Sequence, residues 1–376
     1  MDEVIFVTSD IREDLPIFSV LREDGTADPE RDPNLSKDLL LKMYRTMVLN
    51  RELDDRLFKL QRQGRIGFYL TCTGEEAAVI GSVAALRDED WIFPAYRESG
   101  LALWRDVPLK KYVAQMYGNA EDNVKGRQMP NHYSFREAHM ASISSPVGTQ
   151  IPQAVGFAWA AKIVGDPIVV ITYFGDGATS EGDFHVGCNF AGVFKVPIVF
   201  FCRNNQYAIS VPYERQTAAR SIAVKAHAYG FEGVRVDGND ILAVYTVTQK
   251  AVEKARNGGG PTLIEAVTYR IGAHSSSDDP RRYRSEEEVE RWRQRDPLIR
   301  FREYLEHKGY WNEAMEESLR EEVRDVIART IEEVEQIPPP AIETMFDDVY
   351  RDMPWHLQEQ KTRFLQYLQE KEQWQS

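Results

Sequence analysis

The sequence predicts an α/β fold built on a mostly parallel, doubly wound sheet with helical N- and C-terminal extensions. Two short β-branched runs, Pro167–Phe174 and Pro197–Cys202, are almost continuously apolar, as strands buried on both faces are. The residues between them have helical spacing, with Phe184, Phe190 and Phe194 recurring. Strand, helix and strand in this order form the unit from which parallel sheets are built.

The other predicted elements extend this unit in both directions along the chain. A long amphipathic helix over Leu35–Gln63 precedes it, and a capping box at Thr73–Glu76 begins an Ala-rich helix that ends near Arg87. In chain order, the next predicted elements are a strand at Trp91–Phe93, a helix at Leu109–Tyr117, a loop at Asn119–Ile143, a helix at Pro146–Val164, strands at Gly233–Val236 and Thr262–Ile271, and a loop at Gly272–Arg284. From Glu286 onward the chain is charged and helical.

These elements divide the chain into three predicted parts. Residues 1–34 are mixed and rich in Asp and Pro, and we expect them to form an N-terminal arm that lies on a partner or on another domain. Residues 35–275 hold the α/β domain. Residues 276–376 form a loop and a C-terminal helical extension.

The composition argues against several classes of protein. The net charge of −13 disfavours binding to nucleic acid or to an anionic membrane surface. Three cysteines without disulfide or zinc spacing fit a reducing compartment, and no apolar run approaches the length that spans a membrane. The acidic N-terminal sequence MDEVIFVTSDIRED has neither a signal nor a transit pattern, so we expect a cytoplasmic protein.

Polar residues follow the two buried strands at the point where each strand ends. Gly175-Asp176-Gly177 follows the first strand and Asn205 follows the second. Because the carboxyl ends of parallel strands meet at one edge of a sheet, we expect Asp176 and Asn205 to lie close together. Their oxygens suit Mg²⁺, and the glycines and the helix start would admit a diphosphate. An ordinary tight turn is the alternative for the glycine segment alone, and Ser180 stands where a nicotinamide fingerprint requires glycine.

The Gly-Asp-Gly turn and the later pair of asparagines resemble the thiamine-diphosphate motif. Longer segments carry the resemblance further, namely GRQMP (126–130), SSPVGTQIPQA (144–154), CRNNQYAIS (202–210), RVDGND (235–240) and YRIGAHSSSDD (269–279). Over roughly residues 40–349 the chain resembles alpha subunits of the thiamine-diphosphate-dependent 2-oxo acid dehydrogenase family, in particular its branched-chain members.

The resemblance implies a fold, an activity and partners. The sheet would be of the thiamine-diphosphate-binding type, and the chain would be an oxidoreductase subunit that decarboxylates branched-chain 2-oxo acids. The acyl group would pass to the lipoyl group of an acyltransferase component in a multienzyme complex of branched-chain amino acid degradation. A beta subunit, in an α2β2 heterotetramer, would supply the carboxylate that binds the pyrimidine ring of the cofactor. A pyruvate or acetoin dehydrogenase alpha subunit and a non-catalytic cofactor-binding subunit remain alternatives.

The resemblance also assigns roles to individual residues. Contacts with thiamine diphosphate fall on Tyr96, Arg97, Ser145, Val147, Gly175, Gly177, Ala178, Arg203 and His274. Mg²⁺ would be held by the side chains of Asp176 and Asn205 and the carbonyl of Tyr207, and K⁺ by Ser144, Pro146, Thr149 and Gln150. Without the resemblance, Arg97 is typical of a surface ion pair and the segment 144–150 of a capped helix start.

The position of His274 after a core strand, in a Gly/Ser loop, favours a functional role, and the resemblance makes it the best catalytic candidate. It could orient a 2-oxo acid or pass protons, work for which a near-neutral pKa is suited, although a lone loop histidine is usually a solvated side chain. Ser275 and Ser285 match positions that animal relatives phosphorylate, and a phosphate beside His274 would block the site. The apolar substrate pocket would involve Phe68, Met129 and Tyr133, for each of which core packing is an equal interpretation.

Overall fold

The computed structural model describes residues 15–375 of the chain, with side chains described through residue 371. The first 14 residues of the predicted N-terminal arm therefore lie outside the described residues. The strands are β1 (Ile17–Phe18), β2 (Trp91–Phe93), β3 (Val170–Gly175), β4 (Ile198–Asn204), β5 (Tyr207–Ala208), β6 (Val211–Pro212), β7 (Glu232–Asp237) and β8 (Thr262–Val267). The helices are α1 (Lys37–Arg62), α2 (Glu76–Val83), α3 (Ser99–Trp104), α4 (Leu109–Tyr117), α5 (Gln150–Val164), α6 (Gly182–Phe194), α7 (Ile241–Arg256), α8 (Glu286–Arg293), α9 (Pro297–His307), α10 (Glu313–Glu335) and α11 (Trp355–Gln375).

One parallel sheet organises the described part of the chain. Its strands lie in the order β1-β7-β8-β4-β3-β2, and each neighbouring pair is parallel. Gly175 at the end of β3 is the register partner of Arg203 near the end of β4. The turn after β3 and the polar residues after β4 therefore lie side by side, and the predicted α/β fold is confirmed.

The sheet is covered on both faces, because successive residues of a strand point to opposite sides. In β3, Ile171 and Tyr173 belong to a core shared with α1, α2 and α7, whereas Val170 and Phe174 belong to a second core shared with α5 and α6. This explains why β3 and β4 read as nearly continuous apolar runs. The three cysteines are buried and free.

The N-terminal segment is part of the sheet. β1 pairs with β7, and the backbone N–H groups of Val20 and Leu21 both donate to Asp240 at 2.6 Å. Arg300 donates to the carbonyl of Leu21 from α9. Residues 17–21, which belong to the segment predicted as an N-terminal arm, thus tie the sheet edge to α7 and α9.

Three predicted element boundaries differ clearly from those observed, among them the end of β8, which lies at Val267 rather than at Ile271. α2 ends at Val83 and begins at Glu76, where the side chain of Glu76 accepts from the backbone N–H of Gly74 at 2.9 Å. The helix predicted from Pro146 begins at Gln150. Within residues 15–375, no helix is both long enough and apolar enough to cross a membrane.

Candidate active site

A cavity of about 210 Å³ lies at the carboxyl ends of β3 and β4. This is the edge at which ligands bind in open α/β sheets. The predicted site residues that line it are Tyr96, Arg97, Ser144, Val147, Gln150, Gly175, Asp176, Gly177, Ala178, Arg203, Asn205, Tyr207 and His274. Residues far apart in the sequence are thus brought to one cavity, those after β3 and β4 by the parallel register of these two strands.

Asp176 is a buried carboxylate on the cavity wall. One of its oxygens accepts a hydrogen bond from Nε2 of Gln216 at 2.6 Å. Burial raises the pKa of Asp176 to about 6, because little positive charge lies near enough to offset the lost hydration. A carboxylate in this state is well suited to a divalent cation, which would supply the missing positive charge.

Two further oxygen groups reach the same cavity from the segment after β4. Asn205 donates from Nδ2 to the buried Glu75 at 3.0 Å, and its Oδ1 accepts from the backbone N–H of Tyr207 at 3.4 Å. The carbonyl of Tyr207 accepts from Arg270 at 3.2 Å and retains its second lone pair. With Asp176, these groups form a hard oxygen donor set that fits Mg²⁺.

The turn after β3 is a 3₁₀ helix, Asp176–Ser180, and α6 begins after it at Gly182. A Cβ atom on Gly177 would come 2.6 Å from Cβ of Ala208, so the turn and the β5 segment approach as closely as glycine allows. Ile209, also on the cavity wall, has φ of 55°, which is rare for a β-branched residue. Its carbonyl accepts from Arg270 at 2.6 Å.

The arginines of the cavity are engaged within the protein. Arg203 forms ion pairs with the buried carboxylates of Glu75 and Glu98. Arg97 donates to the carbonyl of Thr71 at 2.7 Å. Both arginines line the cavity, but each guanidinium group already interacts with a group of the protein. Part of their positive charge is therefore offset, and an added cation would strengthen the binding of an anion there.

His274 is in direct contact with Arg97 at the cavity. Nη2 of Arg97 lies 3.3 Å from Nδ1 of His274 and donates to the His274 carbonyl at 2.8 Å. Since arginine only donates, Nδ1 must accept and the ring proton resides on Nε2. Burial, and next the positive charge of Arg97, lower the pKa of His274 to about 3. The near-neutral pKa expected from the sequence is therefore wrong, and the imidazole is neutral at physiological pH.

Only some of the predicted potassium ligands lie at the cavity. The hydroxyl of Thr149 donates to the carbonyl of Pro146 at 3.0 Å, and Nε2 of Gln150 donates to the carbonyl of Tyr173 at 2.7 Å. Of these ligands, Ser144 and Gln150 are in the described lining of the cavity and Pro146 and Thr149 are absent from it, as is Ser145, which was predicted to contact the cofactor.

Ser145 pairs with a histidine, His132, that no sequence pattern indicated. Its hydroxyl lies 2.6 Å from Nε2 of His132, whose Nδ1 lies 3.0 Å from the carbonyl of Pro130. A carbonyl only accepts, so Nδ1 donates to it and the Ser145 hydroxyl donates to Nε2. The lone pairs of Ser145 are left free to accept.

The structure does not bring the three predicted substrate-pocket residues to the cavity. Tyr133 is buried in the core, stacks on Phe135 and donates its hydroxyl to the carbonyl of Glu98 at 3.1 Å. Phe68 and Met129 are likewise outside the described lining.

The two predicted phosphorylation positions differ in exposure. Ser275 is buried beside His274. Ser285 is exposed and caps α8 by accepting from the backbone N–H of Glu288 at 3.2 Å.

Four residues that contact the predicted site residues were not predicted from the sequence, namely Glu75, Glu98, Gln216 and Arg270. Arg270 alone carried a signal, because it follows a core strand as His274 does. The others are not among the lining residues of the cavity and contact residues that are, through long-range packing for which no local pattern exists.

Comparison with known proteins places these observations in context. A family model described as the dehydrogenase E1 component matches residues 44–343. The chain is 46% identical over 371 residues to the 2-oxoisovalerate dehydrogenase subunit alpha, mitochondrial, of Homo sapiens, covering 98% of this chain and 83% of that protein. It is 45% identical over 363 residues to the subunit of the same name from Caenorhabditis elegans, covering 96% and 84%. With subunit alpha 1 of Arabidopsis thaliana it shares 43% over 361 residues, covering 96% and 76%.

These relatives bear on the expected location of the protein. Each of the three is named as mitochondrial. The prediction of a cytoplasmic protein, drawn from the N-terminal sequence, is contradicted by this finding.

Proposed function

The chain belongs to the dehydrogenase E1 component family, and on that premise we propose that it is the alpha subunit of a branched-chain 2-oxo acid dehydrogenase. It is an oxidoreductase subunit that uses thiamine diphosphate. Its reaction is the oxidative decarboxylation of branched-chain 2-oxo acids, followed by acyl transfer to the lipoyl group of an acyltransferase component.

One observation carries the proposal: Asp176, Asn205 and Tyr207 line the same cavity as the glycine turn after β3. When bound, thiamine diphosphate supplies the carbon nucleophile and electron sink that decarboxylation requires. Mg²⁺ would be held by these three oxygen groups, and the diphosphate by the turn at Gly175, Gly177 and Ala178. Ser144 and Gln150 would contribute to a K⁺ site with Pro146 and Thr149.

Within this site, His274 orients the substrate. Its neutral ring, fixed by Arg97, presents Nε2–H as a donor to the carboxylate or keto oxygen of a 2-oxo acid. The lowered pKa makes His274 a poor base, so its contribution is a directed hydrogen bond more than proton abstraction.

A beta subunit completes the site. The cavity of about 210 Å³ is smaller than the roughly 300–1,000 Å³ of a typical ligand site, which supports a second chain that binds the rest of the cofactor. We propose an α2β2 heterotetramer in which the outer face of α5 and α6 contacts this partner. That face exposes Ile163, Val164, Val186, Phe190, Val193 and Phe194.

Two features of the face favour burial by another chain. Trp159 stacks on Phe194 at 4.6 Å between ring centroids, so the exposed aromatic side chains form a continuous patch. Gly156 lies in mid-helix with nothing within 4 Å of the position of a Cβ atom. Glycine at this position destabilises the helix, and no close contact within the chain requires it. Close approach of a partner chain would explain its presence.

The test is reconstitution with the beta subunit of the same organism, thiamine diphosphate and Mg²⁺. Dye reduction would be followed with 3-methyl-2-oxobutanoate and with pyruvate, each component being omitted in turn. Activity that needs both chains and prefers the branched acid supports the proposal. Preference for pyruvate would move the substrate assignment, and inactivity despite bound cofactor would favour a non-catalytic subunit.

A further inference from the structure

Glu75 is a fully buried carboxylate that lies directly behind the cavity wall, at the residue before α2. Its Oε1 accepts from Nδ2 of Asn205 at 3.0 Å, and its Oε2 accepts from Arg203. Nε of Arg97 lies 3.8 Å from Oε1. One side chain thus joins the two cavity arginines to the asparagine.

The contact with Asn205 determines which atom of the amide can face the cavity. A carboxylate flanked by two guanidinium groups can only accept hydrogen bonds, so the atom of Asn205 directed at Glu75 must be the NH₂ group. The carbonyl oxygen is then turned away from Glu75, toward the backbone N–H of Tyr207 at 3.4 Å. With the amide reversed, Asn205 would present NH₂, which cannot ligate a cation.

We infer that Glu75 is a positioning residue, which fixes the amide of Asn205 so that its carbonyl oxygen is presented to the divalent cation. The inference rests on the proposed function, because it assumes that the cavity binds a metal and a diphosphate. Glu75 does not touch the cation in this arrangement. It acts through Asn205, and it also offsets the charge of Arg97 and Arg203.

Glu98 provides a matched control. It is also fully buried, and its Oε1 forms an ion pair with Arg203. Its described contacts do not include Asn205. Replacing Glu98 by Gln therefore removes the same charge from the same network without changing what Asn205 faces.

The test measures binding of Mg²⁺ and of inorganic diphosphate by titration calorimetry, with the full chain assembled with its beta subunit. For Glu75→Gln we expect Mg²⁺ affinity, measured with diphosphate present, to fall about tenfold or more, because the Gln NH₂ group favours the reversed amide. Affinity for diphosphate without metal should be unchanged or higher, since one negative charge is removed. Glu98→Gln should leave Mg²⁺ affinity within about threefold.

A charge swap gives an independent readout. Both carboxylate oxygens of Asp are acceptors, so a carboxylate at position 205 presents an acceptor to the cation whichever way it is turned. The double variant Asn205→Asp with Glu75→Gln should therefore bind Mg²⁺ more tightly than Glu75→Gln alone, with an affinity within about threefold of the wild type. Asn205→Asp alone would place two carboxylates against each other and should not bind as well as the double variant.

The inference is overturned if the two glutamate variants lose Mg²⁺ affinity equally, if Glu75→Gln weakens both ligands together, or if the double variant does not recover. Those outcomes would indicate a role confined to holding the fold. Failure of the proposed function is distinguishable, because the wild-type assembly would then bind neither Mg²⁺ nor diphosphate.

Discussion

Nη2 of Arg97 donates to the carbonyl oxygen of His274 and lies within 3.3 Å of Nδ1 of the same residue. The guanidinium group therefore orients the ring and also opposes its protonation. The pKa of His274, lowered to about 3, is a consequence of burial and of this contact.

We expect the protein to lose stability as the pH falls below 6.5, in part through His274. Unfolded His274 takes up a proton near its ordinary pKa, whereas folded His274 stays neutral until about pH 3. The unfolded state then binds more protons, so the free energy of unfolding falls as the pH falls, by about 2 kcal/mol at pH 5 from this group. Urea unfolding at pH 7.5 and 5.0 would measure it.

His274→Asn is the control for that measurement, since it removes the titrating ring. The variant should lose less stability than the wild type between the two pH values. Equal losses, or an imidazole NMR signal that titrates near pH 6.5, would contradict the prediction.

The close approach of Gly177 and Ala208 predicts a pair of compensating substitutions. Gly177→Ala places a methyl group 2.6 Å from Cβ of Ala208 and should push the turn out of place. We expect affinity for inorganic diphosphate with Mg²⁺ to fall about tenfold or more. Ala208→Gly, added to Gly177→Ala, should recover most of the loss, and calorimetry would reveal an additive loss if the contact is unimportant.

Replacing Ile209 with a residue that tolerates its backbone conformation should make the protein more stable. Its φ of 55° costs a β-branched residue roughly 1–2 kcal/mol, and the side chain is 56% exposed, so little burial is lost on substitution. Ile209→Asn should raise the free energy of unfolding by about 1 kcal/mol in urea titration. Ile209→Val keeps the branching and should show no gain. A variant with Asn that is less stable than the one with Val would refute the argument.

A substitution at Gly156 should have opposite effects on the stability of the isolated chain and on its assembly with the beta subunit. Gly156→Leu should stabilise the isolated chain by roughly 0.5–1 kcal/mol, because leucine favours the helix and the space is open. The same substitution should block assembly with the beta subunit, which sedimentation velocity would detect. Gly156→Ala should have a smaller effect on assembly. If the leucine variant assembles as the wild type does, the partner does not pack here.

Asp176 and Asn205 show how far the sequence can define this site. Their meeting follows from two parallel strands alone, since each residue lies just past a strand end. The residues behind them do not follow from any local pattern. Glu75 lies in a segment that the sequence reads as a capping box, and its contacts with Arg203 and Asn205 span 128 and 130 residues.

Residue chemistry was also harder to predict than residue position. His274 lines the cavity as expected, but its pKa depends on burial and on Arg97, a residue 177 positions away. Tyr133 is of a residue type that often lines pockets, but here it packs in the core, where its ring stacks on Phe135. Aromatic residues serve both purposes, and only the fold distinguishes them.

The pairing of β1 with β7 also sets an order of assembly for the chain. Ile17 pairs with Arg235, and the N–H of Val20 reaches Asp240, 220 residues later. During synthesis, β3, α6 and β4 can associate as soon as they emerge, since they are neighbours in the sequence. β1 is made first of all the described strands, yet it has no partner until residue 235 has been translated. Of the described strands, the first to be synthesised is therefore the one that waits longest for its partner, and the pairing of the N-terminal strand is a late step in forming the sheet.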